Sequence, residues 1–375
     1  MDATLLLPLT DRAASFAEPC RLHPAAWSIT ENADGWARRR GLVTGDPDAS
    51  PLGRARLGRL AARVFPDAEE ARVTLFTQWL IWLYAFDDVR DETPLGGSAT
   101  AVDTLYSHLF MSLRRGHARP GSGPLEIALT ELWQATSPLT TRSWRCRFLS
   151  HLEDHRSACG EEAVNRRTGQ MPSPGRYPAL RRRTSGTFMF DLAEPVLGVE
   201  TAAGVLLSPA WQNLLLGTAD LITWCNDVAS YGREAAWGAT HNYVTVFAHA
   251  FDLTPEQTAA WVVDRIAERA SEVQAAARQL PATFSRLGLD AASERATGAV
   301  AEAFLAAPRA HLDWLLESGR YRDRDGFVPR QPGPRDDAAP AALPGSAARP
   351  APAAPAAPAA AGREAGVPPG QAPEG

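Results

Sequence analysis

Asn226-Asp227-Val228-Ala229-Ser230-Tyr231-Gly232-Arg233-Glu234 sets an amide, a hydroxyl and a carboxylate at four-residue steps. At about 100° per residue, Asn226, Ser230 and Glu234 span only about 80° of a helix, so three oxygen-bearing side chains point into one space. A second acidic stretch, Asp87-Asp88-Val89-Arg90-Asp91-Glu92, stands in the other half of the chain. There Asp87 and Asp91 lie about 40° apart and Asp88 falls within about 60° of Asp91, which predicts three converging carboxylates. Hard oxygen donors of this kind suit Mg²⁺, which shares its ligands between protein carboxylates and substrate phosphates. An isolated aspartate-rich stretch is a common accident of a solvated helix face, but the second pattern, with three different oxygen-bearing types in register, is rarer. Together they predict diphosphate chemistry, with Asp87, Asp88, Asp91, Asn226, Ser230 and Glu234 as metal ligands.

The surrounding sequence reads as helix after helix. Phe76, Trp79, Leu80, Leu83 and Phe86 recur at three- and four-residue steps before the aspartates, so the first motif is predicted to end a buried helix. Asp67-Ala68-Glu69-Glu70 reads as a capping box at its start. Ser208-Pro209 predicts the start of the helix that carries the second motif, and Thr254-Pro255-Glu256-Gln257 that of a further one. No alternating strand pattern extends beyond a few residues, and an all-α fold is expected.

Three further motifs stand in order along the chain. Glu162-Ala163-Val164-Asn165-Arg166 is followed by Tyr177 and by Arg181-Arg182-Arg183-Thr184-Ser185-Gly186, and the folded part closes with Trp314 and Ser318-Gly319-Arg320-Tyr321. With these residues the chain resembles the class I terpene synthases, specifically the bacterial-type terpene cyclases, over roughly residues 20–328. Their aspartate-rich motif and N-D-x-x-S-x-x-x-E triad match this sequence position for position. The resemblance implies that Arg181 senses the diphosphate, with Thr184 as linker and Ser185 as effector of a helix break. The run of three arginines leaves Arg182 with Ser185 and Gly186 open as the alternative. It also implies that Arg233, Arg320 and Tyr321 hydrogen-bond the diphosphate, and that three Mg²⁺ ions bind, two on the Asp87 segment and one on the triad.

The fold implied is a single-domain α-helical bundle with a central active-site cavity, placed at residues 18–330. Its reaction would be ionisation and cyclisation of a linear prenyl diphosphate to a cyclic terpene hydrocarbon or alcohol with release of diphosphate, a carbon–oxygen lyase activity. Farnesyl diphosphate is favoured because most bacterial relatives with these motifs are sesquiterpene synthases, and geranylgeranyl diphosphate is the serious alternative. A chain-elongating prenyl diphosphate synthase would normally carry a second aspartate-rich motif where Asn226, Ser230 and Glu234 stand. Intact ligands at both sites speak against a non-catalytic prenyl diphosphate-binding protein. Phe76, Leu80, Leu83, Tyr84, Phe188 and Trp314, within one to three turns of the diphosphate ligands, are predicted to line the pocket, where aromatic faces can stabilise a carbocation without attacking it.

Composition sets bounds. The 375 residues are 45% hydrophobic, enough for a substantial core, and the formal net charge of −5 provides no basic field for nucleic acid. All 38 basic residues are arginine, whose planar fork suits diphosphate. Cys20, Cys146, Cys159 and Cys225 form no CxxC pair, which argues against a zinc ribbon or a secreted disulfide scaffold. His151 and His155, four apart, read as structural rather than zinc-binding. Without a membrane-length apolar run or a basic-apolar leader, the expectation is a cytoplasmic monomer or homodimer with no stable membrane anchor, binding a small-molecule substrate. The weakly patterned residues 1–17 are expected to be poorly ordered. The alanine- and proline-rich residues 331–375 are expected to form a disordered tail, because they cannot bury enough apolar surface to offset their ordering entropy.

Overall fold

Glu70–Glu92 forms the helix that carries the aspartates, and its apolar stripe explains its place in the fold. Trp79, Trp82 and Phe86 are fully buried, and the two indoles find partners for their N–H groups: Trp79 donates to Thr136 Oγ1 at 2.9 Å and Trp82 to the Leu125 carbonyl at 2.9 Å. Each such side chain contributes about 1.5–3 kcal/mol through burial. This aspartate helix packs against Ala26–Arg39, Leu57–Val64 and Pro124–Thr136. The capping box predicted at Asp67 does not form. Residues 66 and 67 sit in a turn, Asp67 pairs with Arg21, and Glu69 occupies the N-cap without a side-chain capping bond.

In this computed structural model, residues 2–236 and 238–321 are described, so the predicted tail at 331–375 lies outside the described residues. No β-strand occurs among the described residues. The triad helix, Pro209–Ala236, starts where expected, with the Trp211 amide donating to Ser208 Oγ at 3.3 Å. Pro255–Arg278 opens with a complete capping box, Gln257 N to Thr254 Oγ1 at 3.2 Å and Thr254 N to Gln257 Oε1 at 2.9 Å, worth about 1 kcal/mol. The triad helix lies along this helix and along the terminal helix, Ala291–Glu317. Gly217 allows the close approach, since a Cβ there would stand 2.4 Å from Val273 Cγ2.

The N-terminal segment corrects its expectation. Residues 3–6, 9–12 and 14–17 form short helical turns in which Leu6, Leu9 and Phe16 are fully buried. They pack on the triad helix, on Pro255–Arg278 and on the terminal helix, and Arg309 clamps them by donating to the Phe16 and Ala17 carbonyls. The apolar residues of this segment are too few for a periodic pattern to register, yet enough to fill grooves between three helices. None of them lines the central cavity.

Candidate active site

Between the aspartate helix and the triad helix lies a cavity of about 170 Å³. Leu80, Leu83, Tyr84 and Asp87 line one side, Ala219, Ile222, Thr223 and Asn226 another, and Phe65 and Phe76 meet edge to face at 5.0 Å in its wall. The chain break that admits Arg181 and Ser185 to this wall follows from sequence. Tyr177–Thr184 is a short helix, Gly186 adopts φ +78°, and a 3₁₀ stretch runs Thr187–Leu192. A Cβ at Gly186 would stand 2.9 Å from Leu83 Cδ2, so both the backbone and the packing require glycine.

Two of the predicted pocket aromatics are elsewhere. Phe188 was placed by counting helical turns through this break, where the count resets. Its ring packs instead among Trp82, Phe148 and His155, and its neighbours Met189 and Phe190 line the cavity. Trp314 is fully buried behind Tyr84, ring centroids 5.7 Å apart, because its indole N–H donates to the Ala55 carbonyl at 2.6 Å. Phe76, Leu80, Leu83 and Tyr84 do line the cavity.

The aspartates do not converge on one point. Asp87 faces the cavity and accepts from Arg90 at 3.3 Å, Asp88 takes both terminal nitrogens of Arg320 at 2.6 and 3.2 Å, and Asp91 accepts from Arg166 at 2.7 Å. Each carboxylate is drawn toward a different arginine, and among the described residues no three His, Cys, Asp or Glu side chains form a group that could hold an ion by themselves. Arg90 is itself buried against Glu162, which also takes Arg166 at 3.0 Å, so the Glu162–Arg166 segment braces the aspartate helix. His155 shares a proton with the Tyr106 hydroxyl and His151 with Asp191, both structural roles.

The triad is more enclosed. Asn226 accepts from Arg181 at 3.3 Å and donates to the Tyr321 hydroxyl at 2.8 Å, and Glu234 accepts from Asn242 at 2.9 Å. Ser230 Oγ is buried without a hydrogen bond of good geometry among the described residues, and it adds only a minor stabilisation to the Glu234 carboxylate. Burial and the charge of Asp227 push Glu234 up to about 7 against the pull of Arg181. Asp87 is likewise pushed up to about 7, by desolvation above all and then by Asp91 and Asp88, against Arg90 and Arg181. An unsatisfied hydroxyl and two carboxylates that resist ionisation are what an all-oxygen cation site looks like to its own residues, so the donor set fits Mg²⁺.

Sequence reading missed Asp227, although it stands inside the motif. About 100° around the helix from Asn226, it is fully buried and accepts from Arg181 at 2.9 Å, Tyr177 at 3.0 Å and the Tyr243 amide at 2.8 Å. It holds Arg181 at the cavity wall. Arg182 turns away to Asp220 at 2.7 Å, where Arg269 also binds. Ser185 lines the cavity but donates its hydroxyl to the Arg182 carbonyl at 2.8 Å. Arg320 is buried with its guanidinium 4.7 Å over the Tyr84 ring, and Arg233 reaches within 3.8 Å of Asp88. No helix among the described residues is long and apolar enough to cross a membrane.

The chain is similar to known proteins over most of its length. Residues 78–272 match the family model described as terpene synthase family 2, C-terminal metal binding. The chain is 35% identical over 277 residues to a (-)-delta-cadinene synthase of Streptomyces clavuligerus, covering 73% of this chain and 84% of that protein. It is 28% identical to a (-)-beta-caryophyllene synthase of Saccharothrix espanaensis, named as cyclising (2E,6E)-farnesyl diphosphate, over 90% of this chain and 94% of that one. Among solved structures, a cucumene synthase variant superposes with a TM-score of 0.71 at 25% identity, covering 82% of this chain and 99% of that one. Germacradien-4-ol synthase from Streptomyces citricolor superposes with a TM-score of 0.70 at 23% identity, covering 84% and 99%, a likeness of fold.

Proposed function

The chain belongs to the class I terpene synthases of the bacterial type and is a terpene cyclase, and from that premise we propose that it cyclises farnesyl diphosphate to a C15 terpene. The observation that carries the reading is the cavity itself: an apolar chamber with Asp87, Asn226 and Arg181 together in its wall. The curated relatives of similar length, among them the enzyme named for farnesyl diphosphate, support this chain length.

Asp87, Asp88 and Asp91 on one helix and Asn226, Ser230 and Glu234 on the other would hold Mg²⁺, three ions on the family pattern. Bound there, the metal supplies Lewis-acid stabilisation of the departing diphosphate. Arg181, fixed by Asp227, donates to the diphosphate oxygens from the cavity wall, and Arg233, Arg320 and Tyr321 donate from the mouth. The C–O bond breaks with its electron pair on the diphosphate, leaving an allylic cation in the chamber. Leu80, Leu83, Phe65 and Phe76 exclude water that would quench the cation, and the Tyr84 ring presents an electron-rich face. We further assign the catalytic body to residues 18–330, with the N-terminal segment as a structural strap.

Incubation with Mg²⁺ and C10, C15 and C20 prenyl diphosphates separately, followed by organic extraction and mass spectrometry, tests the reading. A cyclic C15 product with Mg²⁺ and none with a chelator is expected. Exclusive cyclisation of geranylgeranyl diphosphate would overturn the chain length and leave the metal chemistry standing.

A further inference from the structure

His311 stands on the terminal helix one turn before Trp314 and lines the cavity. It is 2% exposed, and neither ring nitrogen has a hydrogen-bond partner among the described residues. Buried polar groups are almost always paired, so an imidazole with both nitrogens unsatisfied asks for an explanation. Three other neutral polar side chains of the wall are committed: Thr223 donates to the Ala219 carbonyl, Ser185 to the Arg182 carbonyl and Asn226 to the Tyr321 hydroxyl. His311 shares the chamber with Phe304, Ala303, Ala307 and Ile222, beyond reach of any carboxylate that would hold it protonated.

We propose that His311 is the base that ends the carbocation cascade. Its unprotonated ring nitrogen takes a proton from the carbon next to the final cationic centre. The C–H electron pair becomes the new C=C bond, the imidazole becomes imidazolium, and the proton passes to the diphosphate or to water as the site opens. The proposal rests on the terpene cyclase reading.

Three features suit the role. Burial first, and the Arg181 charge second, push the imidazole down to about 3, so it is neutral at ordinary pH and does not repel the cation. A proton next to a carbocation is far more acidic than even this imidazolium, so transfer runs downhill. The Trp314 ring, 5.5 Å away and tilted by 35°, offers its face to the imidazolium that forms. Because the nitrogens are uncommitted, nothing has to break before the proton arrives.

The test compares wild type with His311→Phe, which keeps the volume, and His311→Gln, which keeps polarity without the basicity. Each is given farnesyl diphosphate and Mg²⁺ while diphosphate release, melting temperature and the product mixture are followed in parallel. The expected result is a split between readouts. The wild-type hydrocarbon falls at least about tenfold as a share of product, replaced by double-bond isomers or alcohols, a threshold set below the general-base effects of about 10²–10⁴, and diphosphate release falls much less. If His311→Phe fails to fold, His311→Gln decides. An unaltered hydrocarbon profile in a folded variant, or a wild-type product that is an alcohol from water capture, would overturn the proposal. Absence of diphosphate release from the wild type would instead overturn the cyclase reading beneath it.

Discussion

The two faces proposed to bind cations present opposite local chemistry. On the aspartate helix two of the three carboxylates pair with arginines from other parts of the fold, Asp88 with Arg320 and Asp91 with Arg166, while Asp87 leans on Arg90 of its own helix, and Asp91 remains 45% exposed. On the triad helix Asn226 is held from two sides, Asp227 is locked beneath it, and Ser230 Oγ is buried with no hydrogen bond of good geometry among the described residues. To bind a cation the first face would have to release its arginines, whereas the second would exchange fewer contacts. Preorganisation therefore sits on the triad, and adaptability on the aspartates.

The hardest test of that contrast is Asn226→Ala or Glu234→Gln. Either should lower kcat by about 10³-fold or more, since a preorganised electrostatic contact is removed in a dry site, with the circular dichroism spectrum unchanged. Near-normal turnover would end the triad assignment. Asp227→Asn should damage both activity and folding, because it leaves Arg181 buried without its counter-charge, a loss of about 3–5 kcal/mol. Urea unfolding beside steady-state kinetics separates this positioning role from ligation, which would spare stability. Asp91→Asn should cost less than about tenfold if its face is adaptable, as expected of an exposed, salt-screened pair. A loss as deep as that of Glu234→Gln would erase the distinction between the faces.

Acidity offers a finer probe. Asp87 and Glu234, both pushed up to about 7, bind protons more tightly in the folded chain than in the unfolded one. Their contribution to metal-free stability is therefore present at low pH and is lost as pH rises through about 7. Mg²⁺ competes for the deprotonated forms, so stabilisation by Mg²⁺ with inorganic diphosphate should be larger at pH 8 than at pH 6. Melting curves at the two pH values, with and without the ions, check the sign. The smallest change concerns the apolar wall: Phe76→Ala should leave turnover within about tenfold and shift the product mixture, read by gas chromatography, because it removes a ring from the chamber without touching a charged ligand.

Much of this was legible before any coordinates. Four-residue steps survive intact on an unbroken helix, so the triad positions and the pocket residues Phe76, Leu80, Leu83 and Tyr84 could be counted. Counting failed across the Gly186 break, which sent Phe188 into the aromatic core, and at Trp314, where the indole's need for a backbone carbonyl decided its direction. The partners of the aspartates were hidden because Arg166 and Arg320 are remote in sequence. His311 left one trace, a single histidine within the alanine- and leucine-rich residues 303–316, and its lack of a partner is visible only in three dimensions.

Arg320 is already dehydrated, pressed over Tyr84 and bound to Asp88 at 2.6 Å. A cation that takes Asp88 leaves this guanidinium buried with no anion. An anion that takes Arg320 would leave Asp88 with only the more distant Arg233, 3.8 Å away. On the proposed roles of Asp88 and Arg320 each arrival would favour the other, so metal and diphosphate would be joined by a coupling free energy that acts equally in both directions. A free phosphate ester alone, or Mg²⁺ alone, gains only part of that energy. On those roles the Asp88–Arg320 pair would behave as a two-key lock that answers to the metal–diphosphate pair.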